Sequence, residues 1–469
     1  MSLLAWAKET IQKLIGKTEI ENQTKISPAV SDEMEAAVAL WSNMYQNCPP
    51  WKSCDTKTLN LPAVIAAKFA RLVTLEAEVD FTGGARADWI AAQMAPVLNG
   101  LRNSVEFACA KGGLAFKPYP DMDRIQIDVI QADRFFPAAF DSNGDILAGI
   151  FVAQQVIGKR QYTRLEYHSF ANGAYTITNQ AFESSTAGLL GQRVPLSAVP
   201  EWTDIQPETT IEGLDHPLFA YFKIPLANNI DDASPLGVSV YARAAETIEQ
   251  FDRQYSRLLW EFEGGELAVH ASAEAFRQKP GGNPDEVYLE NGPKRLYRLL
   301  DTDEAGKNLF EVYSPALRDT SLLNGMNALL RQIETQCGLA FGTLSDPQSV
   351  DKTATEVMQS KQESYSTVSD IRSSLEAALR RLAGSVDALG TVTGIAPPGG
   401  YEMAFDWGDA IITDNEARKA QFWQYVVAGK FPFWKFLTEF EGYTEEEARA
   451  LQAESSRSMG DPYADAGIS

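Results

Sequence analysis

Two carboxylate pairs, Glu261/Glu263 and Asp406/Asp409, come closest in this chain to a general acid–base couple. Such a couple needs one carboxyl held protonated and its partner ionised at the same pH. Both pairs read more simply as a solvated helix end and a loop. The histidines are His168, His216 and His270. His168 falls mid-strand and is expected at the surface, His216 precedes Pro217 in a turn, and His270 has no acid near it in sequence. Asp141-Ser-Asn-Gly-Asp145 has a calcium-loop look but lacks the twelfth-position Glu of an EF-hand, so a hairpin turn is expected. The chain has no GxxxxGK[ST] phosphate loop and no GxSxG elbow, and its Gly-Gly pairs lack strand-to-helix context. Cys48, Cys54, Cys109 and Cys337 form no CxxC and no zinc-spaced set, so reduced structural thiols and cytosolic synthesis are expected. No catalytic residue, metal or cofactor is expected.

Lys294, Arg295 and Arg298 form a local basic cluster that could meet a partner or simply face solvent. Overall, Lys and Arg number 41 against 63 Asp and Glu, a formal charge of −22. That balance argues against tight wrapping of DNA, which needs a basic footprint. No signal peptide or membrane span is expected, because the apolar stretch 61–75 contains Lys68 and Arg71 and is too short.

The elements around these residues follow from periodicity. Residues 1–110 read as helices: an amphipathic one over 3–15, one from Ser31 to about Tyr45, then Leu61–Glu76 and Ala85–Lys111. Residues 114–222 read as strands, with Ile125, Ile127 and Val129 on a buried face. Hairpins are expected at Asp141–Asp145 and Asn172-Gly173.

In the second half of the chain, Val240, Ala244, Ile248, Phe251, Tyr255, Leu258, Leu259 and Phe262 draw a helical stripe. Leu322, Met326, Leu329, Leu330, Ile333 and Cys337 draw another, starting at Ser314-Pro315 and stopping at Gly338. About fifty β-rich residues lie between the two. After a loop at 340–352, residues 353–389 read as one helix of about 55 Å. Its second half carries Val368, Ile371, Leu375, Leu379, Leu382, Val386 and Leu389. Narrow stripes on long helices usually pack on neighbouring helices, often those of another subunit. A strand at 405–412 and three helices, about 414–428, 432–440 and 444–454, complete the chain.

This order resembles the portal proteins of tailed bacteriophages, the siphophage-type family. The similar residues are Pro217–Asn229 (PLFAYFKIPLANN), Ser234–Tyr241 (SPLGVSVY), Lys352–Val357 (KTATEV) and Phe405–Ala417 (FDWGDAIITDNEA). The resemblance implies an α+β portal-type fold. Its wing is residues 1–234, its stem helices 235–263 and 314–339, and its clip 264–313. A channel loop at 340–352, the long helix with a wing return strand at 353–412, and a crown at 413–469 complete it.

The resemblance further implies a ring of about twelve copies at one capsid vertex. Double-stranded DNA passes through it non-specifically during packaging and ejection, and the ring docks terminase and then a head–tail adaptor. The major capsid and scaffolding proteins are further partners, and no membrane is one. Assembly is placed in the host cytoplasm and the mature location in the virion. On this reading Ser345, Asp346, Pro347, Gln348, Ser349, Val350 and Lys352 line the channel. Ile248, Phe251, Tyr255, Leu258, Leu329 and Ile333 make subunit contacts, and Lys294, Arg295 and Arg298 bind a partner at the clip. An acidic, polar lining suits a conduit, since a basic one would hold each phosphate. The alternatives are another head–tail structural protein, such as an adaptor or connector, or a soluble hydrolase using the paired carboxylates.

Overall fold

The computed structural model describes residues 15–186, 188–265, 268–272, 277–278, 287–288, 297–300, 310–313, 316–346, 354–408, 415–428 and 430–458. The amphipathic segment expected over 3–15 therefore lies outside the described residues except for Ile15. The chain divides into two compact units, one of Met1–Val73 with Asp80–Met403, the other of Thr74–Val79 with Ala404–Ser469.

The first unit begins with α1 (Lys17–Thr24), α2 (Asp32–Tyr45) and α3 (Leu61–Val73). The Ser31 hydroxyl accepts from the Met34 amide at 3.2 Å, the N-cap bond that fixes where α2 starts. After β1 (Glu78–Thr82), the single helix expected over 85–111 is two, α4 (Ala85–Asn99) and α5 (Leu101–Lys111). Pro96 has no amide to donate and Gly100 is a poor helix former, so the helix breaks there. Gly112 ends α5 at φ +90, and a Cβ there would lie 2.5 Å from the Gly237 carbonyl oxygen. Glycine is required both by the left-handed turn and by this close approach.

Two antiparallel sheets follow. The first has the order β10 (Ala220–Lys223), β2 (Gly113–Asp121), β3 (Arg124–Gln131). The second runs β4 (Phe135–Phe140), β5 (Ile146–Ile157), β6 (Arg160–Ala171), β7 (Ala174–Ser184), β8 (Gln192–Val194), with β9 (Glu208–Glu212) also on β7. Both expected hairpins are present. Asp141 Oδ1 accepts from the amides of Asn143 and Asp145, and Asn172-Gly173 turns with both φ positive. The face expected buried on β3 is only partly so: Ile125 is buried, Ile127 intermediate, and Val129 exposed, because this strand borders the sheet.

The apolar stripes form α6 (Ala245–Gly264), α7 (Asp319–Cys337) and α8 (Ala354–Thr393). Helix α7 starts later than the Ser314-Pro315 signal, which lies outside the described residues. Helix α8 packs on β10, β2 and β3 and against α3 and α4. Its stripe from Val368 to Leu389 is buried by the chain itself, largely on a sheet rather than on neighbouring helices of another subunit. Periodicity marks the buried face but not what covers it. Between α6 and α7 the described backbone holds β11 (Ala268–Ser272), β12 (Arg277–Gln278), β13 (Val287–Tyr288), β14 (Tyr297–Leu300) and β15 (Phe310–Tyr313). β11 pairs in parallel with β14 and antiparallel with β15.

The strand expected over 405–412 overlaps β16 (Glu402–Asp406) at residues 405 and 406 only; residues 407 and 408 are not strand, and 409–412 lie outside the described residues. The second unit continues through α9 (Asn415–Val427), α10 (Phe433–Phe440) and α11 (Glu445–Ser458). Its core is aromatic, with Phe422 packed 5.0 Å from Phe431 and Trp423 5.2 Å from Phe436 by ring centroids. No helix among the described residues is long and apolar enough to cross a membrane.

Candidate functional site

Helices α6 and α7 pack side by side and carry the β-rich insertion at one end and residues 339–346 at the other. Four of the six residues expected as subunit contacts, Ile248, Phe251, Leu258 and Ile333, are buried within the chain, while Tyr255 and Leu329 are half-buried. Those four are already covered within the single chain, which leaves Tyr255 and Leu329 as the expected contact residues with surface to offer. The exposed large apolar groups on this helix pair are Trp260 (70%), Phe262 (46%), Leu323 (49%) and, just before α7, Leu317 (42%).

Where the insertion begins and ends, Glu261 clasps Arg318. Its Oε1 accepts from the Arg318 backbone amide at 2.9 Å, and its Oε2 takes Nη2 at 2.6 Å. Those bonds hold the Glu261 carboxyl down at about 2, so it is ionised at neutral pH and unsuited to be a general acid. In the other candidate pair, Asp406 accepts from the Gly408 amide at 2.9 Å, and Asp409 lies outside the described residues.

Midway along α6, Asp252 is buried and receives the indole N–H of Trp51 at 2.8 Å and the Leu59 amide at 3.4 Å. One turn on, Ser256 Oγ accepts from the Lys57 amide at 2.8 Å. The segment 51–59 is thus strapped along α6. Burial pushes the Asp252 carboxyl up to about 6, against the Trp51 and Leu59 hydrogen bonds that pull it down.

At the other end of the helix pair, Gly338 (φ +75) stops α7 and the chain turns back. Glu334 is 1% exposed, and its carboxylate gathers the returning backbone. Oε1 accepts from the amides of Leu344 (2.5 Å) and Ser345 (2.8 Å). Oε2 accepts from the Gly342 amide (3.3 Å) and the Ser345 hydroxyl (2.8 Å). The Arg331 guanidinium stacks 5.6 Å from the Phe341 ring centroid. Two turns back along α7, Asn327 Oδ1 accepts from the Asp346 amide at 2.8 Å.

Of the residues expected to line a channel, Ser345 is buried against Glu334 and Asp346 is exposed. The Ser345 hydroxyl donates to Glu334 at 2.8 Å. Pro347, Gln348, Ser349, Val350 and Lys352 lie outside the described residues, as do Lys294 and Arg295. Arg298 is described only as backbone, paired with His270 between β14 and β11.

His168 is not at the surface as expected but 2% exposed. Its Nε2 meets Glu166 Oε1 at 2.8 Å and its Nδ1 meets the Tyr175 hydroxyl at 2.5 Å. Lys117 Nζ closes on Glu166 Oε2 at 2.7 Å. Burial alone would raise the Glu166 carboxyl, but His168, Lys117 and Arg164 together hold it well below its ordinary value. Burial lowers His168, against the Glu166 hydrogen bond and charge that raise it. Lys117, Glu166, His168 and Tyr175 are each paired here, while Arg164 Nε has no hydrogen-bond partner, and the arrangement joins β2, β6 and β7 as structural glue. Asp145 of the supposed calcium loop is gripped by Arg381 of α8 through two parallel bonds at 2.8 and 2.9 Å. Among the described residues no cluster of three or more His, Cys, Asp or Glu could hold a metal ion.

Sequence reasoning missed Glu334, Asn327 and Asp252. Asn327 and Glu334 stand seven residues apart on one helix face, a usable hint, but their partners are backbone amides and no motif marks them.

A family model described as phage portal protein, SPP1 Gp6-like, matches residues 99–461. No curated protein matches the chain.

Proposed function

Because the chain belongs to the phage portal protein family, SPP1 Gp6-like, we propose that it assembles into a ring of about twelve copies through which double-stranded DNA enters and leaves the capsid. The observation that carries this reading is the α6–insertion–α7–loop–α8 order, with Trp260, Phe262, Leu317 and Leu323 left exposed on the helix pair. Isolated apolar groups are ordinary on a surface, but several large ones along one helix pair suit contact with another copy. Subunit contact is assigned to these four residues, Phe262 being the exposed member of the α6 stripe, rather than to that stripe's buried members.

In this reading α6 and α7 are the stem, the insertion is the clip that meets terminase and then the adaptor, and the segment after α7 is the channel loop. Residues 413–469 form the crown. The formal charge of −22 supports passage without adhesion, since few phosphate contacts are available to hold the duplex. The protein supplies no motor of its own in this account; packaging force comes from the terminase. The ring resides at one vertex of the virion and also contacts capsid and scaffolding proteins. Mass photometry of the purified chain tests assembly: a species near twelve times 51.6 kDa is expected, and monomer alone at micromolar concentration overturns the ring.

A further inference from the structure

We propose that Glu334 is the positioning residue of the channel loop: with Asn327 it forms a latch that lays residues 340–346 back along α7. The inference rests on the portal reading for its purpose, but not for its geometry. After the Gly338 turn, the chain meets α7 first at position 334, through residues 342–345, and then at position 327, through residue 346. The contacts move backward along the helix as the segment moves forward, over about 10 Å at 1.5 Å per residue. The segment therefore runs antiparallel to α7 and belongs physically to the stem.

The chemistry of the latch is specific. A left-handed Gly342 (φ +80) helps turn the N–H groups of Gly342, Leu344 and Ser345 toward one point, the concave arrangement that binds anions. Here the anion is supplied by the protein's own helix. Charge-assisted bonds to several amides are stronger than neutral ones, and a buried carboxylate stripped of them is costly. Conversely, removing the carboxylate leaves the amides of Leu344 and Ser345 without their acceptor. Asn327 makes a reciprocal contact, accepting from the Asp346 amide at 2.8 Å and donating to the Asp346 carbonyl at 3.4 Å. The latch thus fixes where the stem ends and how far from α7 the loop begins.

The test is hydrogen exchange on assembled full-length protein, comparing wild type with Glu334→Gln, Glu334→Ala and Asn327→Ala. The amides of Gly342, Leu344 and Ser345 should exchange roughly tenfold faster or more in Glu334→Ala, with α7 amides unchanged. Asn327→Ala should release the Asp346 amide alone, and it keeps the idea testable if Glu334→Ala does not fold. Unchanged exchange at 342–345 in both Glu334 variants overturns the latch. DNA retention in particles carrying the same variants provides the second reading. Faster exchange with lost retention supports the whole inference. Faster exchange with normal retention leaves the latch standing and overturns its role in the DNA channel.

Discussion

The Trp51 indole donates its N–H to the Asp252 carboxylate at 2.8 Å, joining the 51–59 strap to the middle of α6. This is a buried carboxyl whose neutral form folding favours, and its sign in a pH titration is set by that. The folded value of about 6 lies above the ordinary 3.8, so the folded state holds its proton more tightly than the unfolded one. The stability that Asp252 contributes is therefore greatest below about pH 4, falls through the window to pH 6, and is level above it. Glu249 adds to the upward shift and Lys52 opposes it.

Asp252→Asn cannot titrate. Its stability relative to wild type should rise between pH 4 and pH 7, by on the order of 1–3 kcal/mol. Urea denaturation at a series of pH values checks this, and a difference that is flat with pH would remove Asp252 as the cause.

Burial within the single chain separates two classes of substitution on the stem helices. Ile248→Asp puts an unpaired charge in a fully covered site and should cost at least about 4 kcal/mol, unfolding the helix pair. Trp260→Ser with Leu323→Ser should leave the monomer's circular dichroism and melting unchanged, yet shift mass photometry toward small species. Intact rings in that double variant would show that the contacts lie elsewhere.

Arg86 ties α4 to the end of α8. Its Nε meets Asp387 Oδ1 at 2.6 Å, and its guanidinium also donates to the carbonyls of Pro397 and Asp387. Arg86→Ala should destabilise the first unit by about 3 kcal/mol in chemical denaturation. Arg86→Lys should recover only part of that, because an ammonium cannot reproduce the fork.

Purified rings should not turn over ATP. A coupled phosphate-release assay at high protein concentration is expected to stay at the level of a mock preparation, and turnover that copurifies with the ring would contradict a passive conduit.

Turns were the most readable part of the sequence. The Asp141–Asp145 and Asn172-Gly173 hairpins rest on local chemistry, so a few residues decide them. The break at Gly100 was equally local and was overlooked beside the strong periodicity of 85–111. The stripe of α8 located a buried face, those of α6 and α7 did so only in part, with Phe262 exposed and Leu322, Leu329 and Leu330 half-buried, and periodicity carries no information about what covers them. For α8 the answer was β10, β2 and β3 of the same chain. Glu334 was unreadable for a different reason: a carboxylate bound to backbone amides leaves no partner residue type to recognise. His168 was expected at the surface, but Glu166, two residues away on the same strand face, turns inward with it to meet the buried Lys117.

An electron cryo-microscopy reconstruction of the purified full-length assembly tests the central claim most directly. The account predicts a closed ring with an axial channel wide enough for a DNA duplex, Trp260 and Leu323 at the contacts between neighbouring copies, and residues 340–346 laid along α7. A ring without a through-channel, or an assembly in which the α6–α7 pair points away from the axis and touches no neighbour, would contradict it.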